Sequence, residues 1–181
     1  MSLFSPKGGI SRPITDRIKE SLFNVLWNYG LPEGKIAADL FCGVGSLGLE
    51  TLSRGAVFVT FVEKDPKIAA VLKKNIEKAD FVKKSKVIIA DAFKIGAPER
   101  PDGQKYDVIF VDPPYRLTAE ADENSPLSGL MTILTEQLSP NGILIVRVEE
   151  HTQLQQQYGR LQTIDKRHWG SMLITILTRS A

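Results

Sequence analysis

The chain has 181 residues, 43% hydrophobic and 24% charged, which suits one globular domain over 1–181 with a sizeable core, and a second full domain is not expected. No apolar run approaches the ~20 residues of a membrane span, no secretory leader pattern opens the chain, and a lone Cys42 excludes an intramolecular disulfide, so a cytoplasmic protein is expected. The net charge of +2 is too small to announce a nucleic-acid partner, and His151 and His168 stand apart from any metal-ligand cluster.

Residues 1–11 read as irregular, broken by Pro6, Gly8 and Gly9. After Arg12-Pro13, the residues Ile18, Leu22, Val25, Leu26 and Tyr29 fall at helical spacing as one buried stripe, ended by Gly30, Pro32 and Gly34. A short strand over 36–41 runs into the loop Cys42-Gly43-Val44-Gly45-Ser46-Leu47-Gly48, then a helix to about Arg54. A second strand over 57–62 ends at Glu63, and a helix over about 66–79 follows. The third strand, 87–89, ends at Asp91-Ala92, and 94–105 is rich in turns. Eight lysines crowd residues 64–86, which is either a solvated face or a phosphate-tracking patch.

The fourth strand, 106–111, is followed by Asp112-Pro113-Pro114-Tyr115. Residues 116–126 read as a mobile rim loop, 127–138 as an amphipathic helix and 142–148 as a fifth strand. Strand-like runs at 160–167 and 172–178, joined at His168-Trp169-Gly170-Ser171, read as an antiparallel hairpin. The alternation argues an α/β fold with one doubly wound, mostly parallel sheet. Five strands plus the hairpin make it seven-stranded.

The spacing Gly43-x-Gly45-x-x-Gly48 between a strand and a helix has the form of a dinucleotide fingerprint. Glu63, 20 residues after Gly43, is placed to accept from a ribose diol. That motif alone does not separate a nicotinamide from another adenosine cofactor. Asp39 adds information, because an acid inside a buried strand requires a cationic or N–H-rich partner. The ammonium of an amino-acid tail supplies one, and NAD has none. Asp91 ends the third strand where an adenine amino group is readable.

Residues 108–111 are wholly apolar, so Asp112 and Tyr115 sit at the carboxyl end of a buried strand, the rim where α/β sheets bind ligands. The Asp112 carboxylate and the Pro113 carbonyl can accept from both N–H groups of an exocyclic amino group and so expose its lone pair. Pro113 and Pro114 fix those acceptors in advance. Tyr115 offers a stacking face for an extruded base, worth roughly 1–3 kcal/mol. A sulfonium methyl donor is already activated, so no metal is expected.

Three stretches carry a closer resemblance: Arg12-Pro13-Ile14-Thr15-Asp16-Arg17-x-x-Glu20-x-Leu22-Phe23-Asn24, then Asp39-x-Phe41-x-Gly43-x-Gly45-x-Leu47-Gly48-x-Glu50, then Ser53-Arg54-Gly55-Ala56. With Asp112-Pro113-Pro114-Tyr115 they resemble the RsmD-like bacterial 16S ribosomal RNA guanine-N2 methyltransferases, from about Arg12 to the hairpin. The resemblance implies a Rossmann-like class I methyltransferase fold and S-adenosyl-L-methionine as cofactor. It implies that Asp39, Phe41, Cys42, Gly43, Gly45, Glu63, Lys64, Asp91 and Ala92 surround that cofactor, with Cys42 as packing. Asp112, Pro113, Pro114 and Tyr115 would hold the target guanine, with Arg12, Thr15 and Arg116 at the substrate mouth. The implied product is N2-methylguanosine in 16S RNA of the small ribosomal subunit or its assembly particle, made by a monomer. A DNA adenine-N6 or other base amino-methyltransferase, an NAD-dependent oxidoreductase and a non-catalytic RNA-binding factor are the competing readings.

Overall fold

The computed structural model describes residues 3–5, 14–118 and 124–180. Arg12 and Pro13, most of the expected irregular start and residues 119–123 of the expected rim loop lie outside them.

Helix α1, Asp16–Trp27, starts where the Thr15 hydroxyl accepts from the Ile18 N–H at 3.4 Å, and Asp16 favours the positive end of the dipole. It buries Leu22, Phe23 and Leu26. Tyr29 does not extend that stripe: the helix stops at Trp27, Gly30 turns the chain at φ +69°, and Tyr29 is exposed.

Strands β1 (Ile36–Leu40), β2 (Phe58–Glu63), β3 (Ser85–Ile89), β4 (Tyr106–Val111) and β5 (Leu138–Glu149) form the parallel part of the sheet. Strands β6 (Gln157–Tyr158), β7 (Leu161–Trp169) and β8 (Met172–Arg179) close it antiparallel, in the order β3-β2-β1-β4-β5-β8-β7-β6. The sheet therefore has eight strands, not seven. The extra one, β6, is two residues long and too short to carry any periodicity. Strand β5 begins earlier than expected because it contains an irregularity: Tyr106 pairs with Leu138 but Val108 with Ile143, and Asn141 turns at φ +59°.

Helices α2 (Ser46–Ser53) and α3 (Pro66–Lys78) join α1 over one face, packing Leu49, Leu72 and Ile76 against Phe61 and Phe110. The one-turn helix α4, Ala92–Ile95, and α5, Pro126–Gln137, cover the other face, where Leu130, Met131 and Leu134 meet Ile109 and Val111. No helix among the described residues is long and apolar enough to cross a membrane.

Strand β1 has β2 on one side and β4 on the other, so the chain reverses direction of winding there. The crevice beyond the carboxyl ends of β1 and β4 is the expected ligand site. Asp39 pairs in register with Phe110 and Leu40 with Val111, which brings Asp39 and Asp112 to neighbouring strand ends.

Gly48 makes this rim possible. A Cβ there would lie 2.2 Å from the Phe61 ring and 3.0 Å from Asp39 Oδ2. Replacing Gly48 with Ala is expected to destabilise the fold by about 1–3 kcal/mol through overpacking. A thermal melt checks this, and an unchanged midpoint would contradict the packing.

Candidate active site

Three residues with left-handed backbone, Phe41 (φ +58°), Gly43 (φ +54°) and Gly45 (φ +91°), turn the chain from β1 into α2. Gly43 has open space where a Cβ would stand, so a ligand can approach its backbone. The loop is held from outside. The buried Asn75 donates to the carbonyls of Val44 at 3.0 Å and Phe4 at 3.1 Å, and accepts from the Phe4 N–H at 2.7 Å.

Glu63, at the end of β2, accepts from the Gly43 N–H (2.9 Å) with one oxygen and from the Asp65 N–H (2.8 Å) with the other. Each carboxylate oxygen keeps a second lone pair. Its carboxylate helps to wall a cavity of about 100 Å³ with Phe41, Val62, Lys64, Ala90, Asp91, Ala92, Phe93 and Leu117. The Phe41 and Phe93 rings lie 4.8 Å apart at 59°. At the rim Lys64 Nζ donates to Asp91 Oδ2 at 2.8 Å, and Asp91 Oδ1 accepts from the Phe93 N–H at 3.1 Å as the cap of α4. The Lys64 hydrogen bond chiefly holds Asp91 below the usual carboxylate range.

Asp39 is buried, and its Oδ2 accepts from the Gly48 N–H at 2.8 Å. The N–H-rich partner that a buried acid needs is thus the first turn of α2. One hydrogen bond does not offset desolvation. Burial first, then repulsion from Asp112 and Glu63, pushes the carboxyl up to about 8 against the pull of Gly48 and Arg147. Cys42 is buried, and burial with the nearby Asp39 and Glu63 raises its thiol well above the usual range.

Asp112 follows β4, with its N–H on the Leu40 carbonyl at 3.4 Å. Its Oδ1 accepts from Arg147 Nε at 2.5 Å, and both side chains are largely buried. Burial raises the Asp112 carboxyl while Arg147 pulls it down. Pro113 is buried and Pro114 exposed. Tyr115 is half-buried and opens a short 3-10 turn that carries the exposed Arg116 and returns Leu117 to the cavity wall.

The structure therefore gathers Phe41, Glu63, Lys64, Asp91 and Ala92 around one cavity and places Asp39, Gly43 and Asp112 beside it. Thr15 is not among the cavity's lining residues; its hydroxyl caps α1. Among the described residues no cluster of His, Cys, Asp and Glu is arranged to hold a metal. Sequence reasoning missed Arg147 and Phe93. Arg147 carried a signal: it is the one charge in the apolar run 143–148, the same anomaly that marked Asp39. Phe93 carried none, since its partner Phe41 is 52 positions away.

The family model described as conserved hypothetical protein 95 matches residues 2–178. A Bacillus subtilis protein, YlbH, with a provisional rRNA-methyltransferase name, is 32% identical over 93% of this chain and 88% of its own length. The ribosomal RNA small subunit methyltransferase D of Haemophilus influenzae is 35% identical over 77% of this chain and 68% of its own. A solved Escherichia coli structure, provisionally named methyltransferase yhhF, superposes with a TM-score of 0.80 at 28% identity, covering 99% of this chain and 92% of that one. The fold is thus the Rossmann-like methyltransferase fold, which removes the oxidoreductase reading of the glycine loop. On matches spanning nearly its whole length, this chain belongs to the RsmD-like methyltransferase family.

Proposed function

We propose that the protein is an S-adenosylmethionine-dependent methyltransferase acting on the exocyclic N2 of a guanosine in 16S RNA of the small ribosomal subunit. The observation that carries this is the adjacency of Asp39, the glycine loop and Glu63 to Asp112-Pro113-Pro114-Tyr115, at the ends of neighbouring strands. The names of the relatives support the RNA substrate. So does the lysine-rich segment: residues 64–86 carry eight lysines against three acids, and Lys67, Lys73, Lys74, Lys78, Lys83, Lys84 and Lys86 are exposed. A ribosomal substrate goes with a cytoplasmic enzyme, an already activated methyl donor needs no metal, and the proposed enzyme is a monomer.

The residues present fit the cofactor. Asp39 is a buried acid short of positive charge and suits the ammonium of the amino-acid tail. Gly43 leaves its backbone approachable, Glu63 has lone pairs for the ribose hydroxyls, and the cavity lined by Phe41, Ala92 and Phe93 offers apolar walls to an adenine. When bound, the sulfonium group supplies an electrophilic methyl. The chain's own work is orientation. Asp112 and the Pro113 carbonyl accept the N2 hydrogens, leaving the nitrogen lone pair directed at the methyl carbon. Accepting that methyl would leave N2 cationic. Its proton then leaves to Asp112 or to water.

Removing the Glu63 carboxylate by Glu63→Ala is expected to weaken S-adenosylhomocysteine about 10-fold to 100-fold, the worth of charge-assisted hydrogen bonds. An unchanged titration would remove Glu63 from the ribose role. The function itself is tested by thermal shift with S-adenosylhomocysteine and NAD, followed by labelled methyl transfer to small ribosomal subunits, naked RNA and DNA. Stabilisation by NAD alone, or label only in DNA, would refute it.

A further inference from the structure

Arg147 is buried within an otherwise apolar stretch of β5. A guanidinium there is costly, and an apolar residue would suit the strand better unless the charge has a task. Its donors are incompletely met. Nε bonds Asp112, and Nη1 reaches the Met172 thioether at 3.7 Å, a weak acceptor. Nη2 has no protein partner among the described residues, yet it is not among the atoms sealed from solvent without a partner. An acceptor and a spare donor therefore stand side by side at the candidate base site.

Resting on the reading of that site as a guanine-N2 methyltransferase, we propose that Arg147 is a specificity-determining residue that reads guanine together with Asp112. The Watson–Crick edge of guanine presents N2–H and N1–H as donors and then O6 as an acceptor. A carboxylate beside a guanidinium matches that order. Arginine reads guanine O6 in duplexes by the same chemistry. Adenine inverts the edge: its bare N1 would face the Asp112 carboxylate, and its amino group would face the Arg147 donors. Buried polar groups left unpaired by the wrong base give the strongest discrimination a site can make. The Nε bond meanwhile fixes Asp112, so that the acceptor is organised before the base arrives.

The test uses small-subunit RNA carrying either guanosine or 2,6-diaminopurine riboside at the position that the wild-type protein methylates. Diaminopurine keeps the N2 amino group, but an amino group replaces O6 and N1 carries no hydrogen. Wild type is expected to prefer guanosine by about 100-fold or more in kcat/KM. Arg147→Lys keeps the charge and can still hold Asp112, but it lacks the fork of donors. It is expected to lose about 50-fold or more on guanosine and far less on diaminopurine, with unchanged S-adenosylhomocysteine affinity and melting midpoint. Arg147→Met should collapse the preference in the same way. Equal losses on both bases, or a retained preference in either variant, would overturn the role of Arg147. A wild-type protein that binds S-adenosylhomocysteine but methylates neither base would instead overturn the functional reading on which that role rests.

Discussion

Replacing Asp112 with Ala is expected to lower methyl transfer by about 10³-fold or more while leaving S-adenosylhomocysteine affinity within a few-fold. In the proposed site this carboxylate orients the amino group, whereas the cofactor is held by Asp39, the glycine loop and Glu63. Removing it also breaks the largely buried Asp112–Arg147 pair on one side, a change that costs about 3–5 kcal/mol. A lower melting midpoint is therefore expected in Asp112→Ala. Asp112→Asn, which keeps the shape and one acceptor, separates the two effects: it should melt closer to wild type and remain severely impaired. Full turnover in either variant would refute the placement of the target base.

The affinity for S-adenosylhomocysteine should rise with pH up to about 8 and then level off. Asp39 titrates near 8 in the folded chain, because burial and the charges of Asp112 and Glu63 outweigh the Gly48 N–H and Arg147. An ammonium group binds the ionised form. Below pH 8 binding must therefore expel a proton, at a cost of up to about tenfold in affinity per pH unit. Asp39→Asn should remove the slope and weaken the complex at pH 8. Folding has the opposite sign. Folded Asp39 keeps its proton up to about 8 whereas a solvated one loses it near 3.8, so its contribution to stability falls as pH rises between those values. Asp39→Asn is accordingly expected to melt higher than wild type at pH 8 while binding the ligand less tightly. Calorimetric titration at several pH values checks the first statement, and a flat wild-type profile would contradict it.

The features legible in the sequence were those that break a local pattern. Asp39 and Asp112 interrupt apolar strands, and Gly43 and Gly45 punctuate a strand-to-helix turn. Their neighbourhood followed from the winding of the sheet, because consecutive parallel strands bring their carboxyl ends to one rim. Glu63 was legible as the end of β2, although its anchoring on the Gly43 and Asp65 N–H groups was not. What the sequence hid depends on pairing across distance. The Asp112–Arg147 contact spans 35 positions and two strands, and the Asn75 clamp on residue 4 spans 71. The two-residue β6 and the irregular start of β5 are set by tertiary pairing rather than by side-chain alternation. Tyr29 was misplaced because helical spacing continued in the sequence past the residue where the backbone turns.

The proposed function joins a methyl donor site to a base site on one rim. Its most direct test is mass mapping of modified nucleosides in small-subunit RNA incubated with the purified protein and S-adenosylmethionine. A single new N2-methylguanosine, absent with Asp112→Ala and reduced at low pH, is the predicted result. Methyl groups on adenine N6, or none on RNA from a protein that binds S-adenosylhomocysteine, would contradict it.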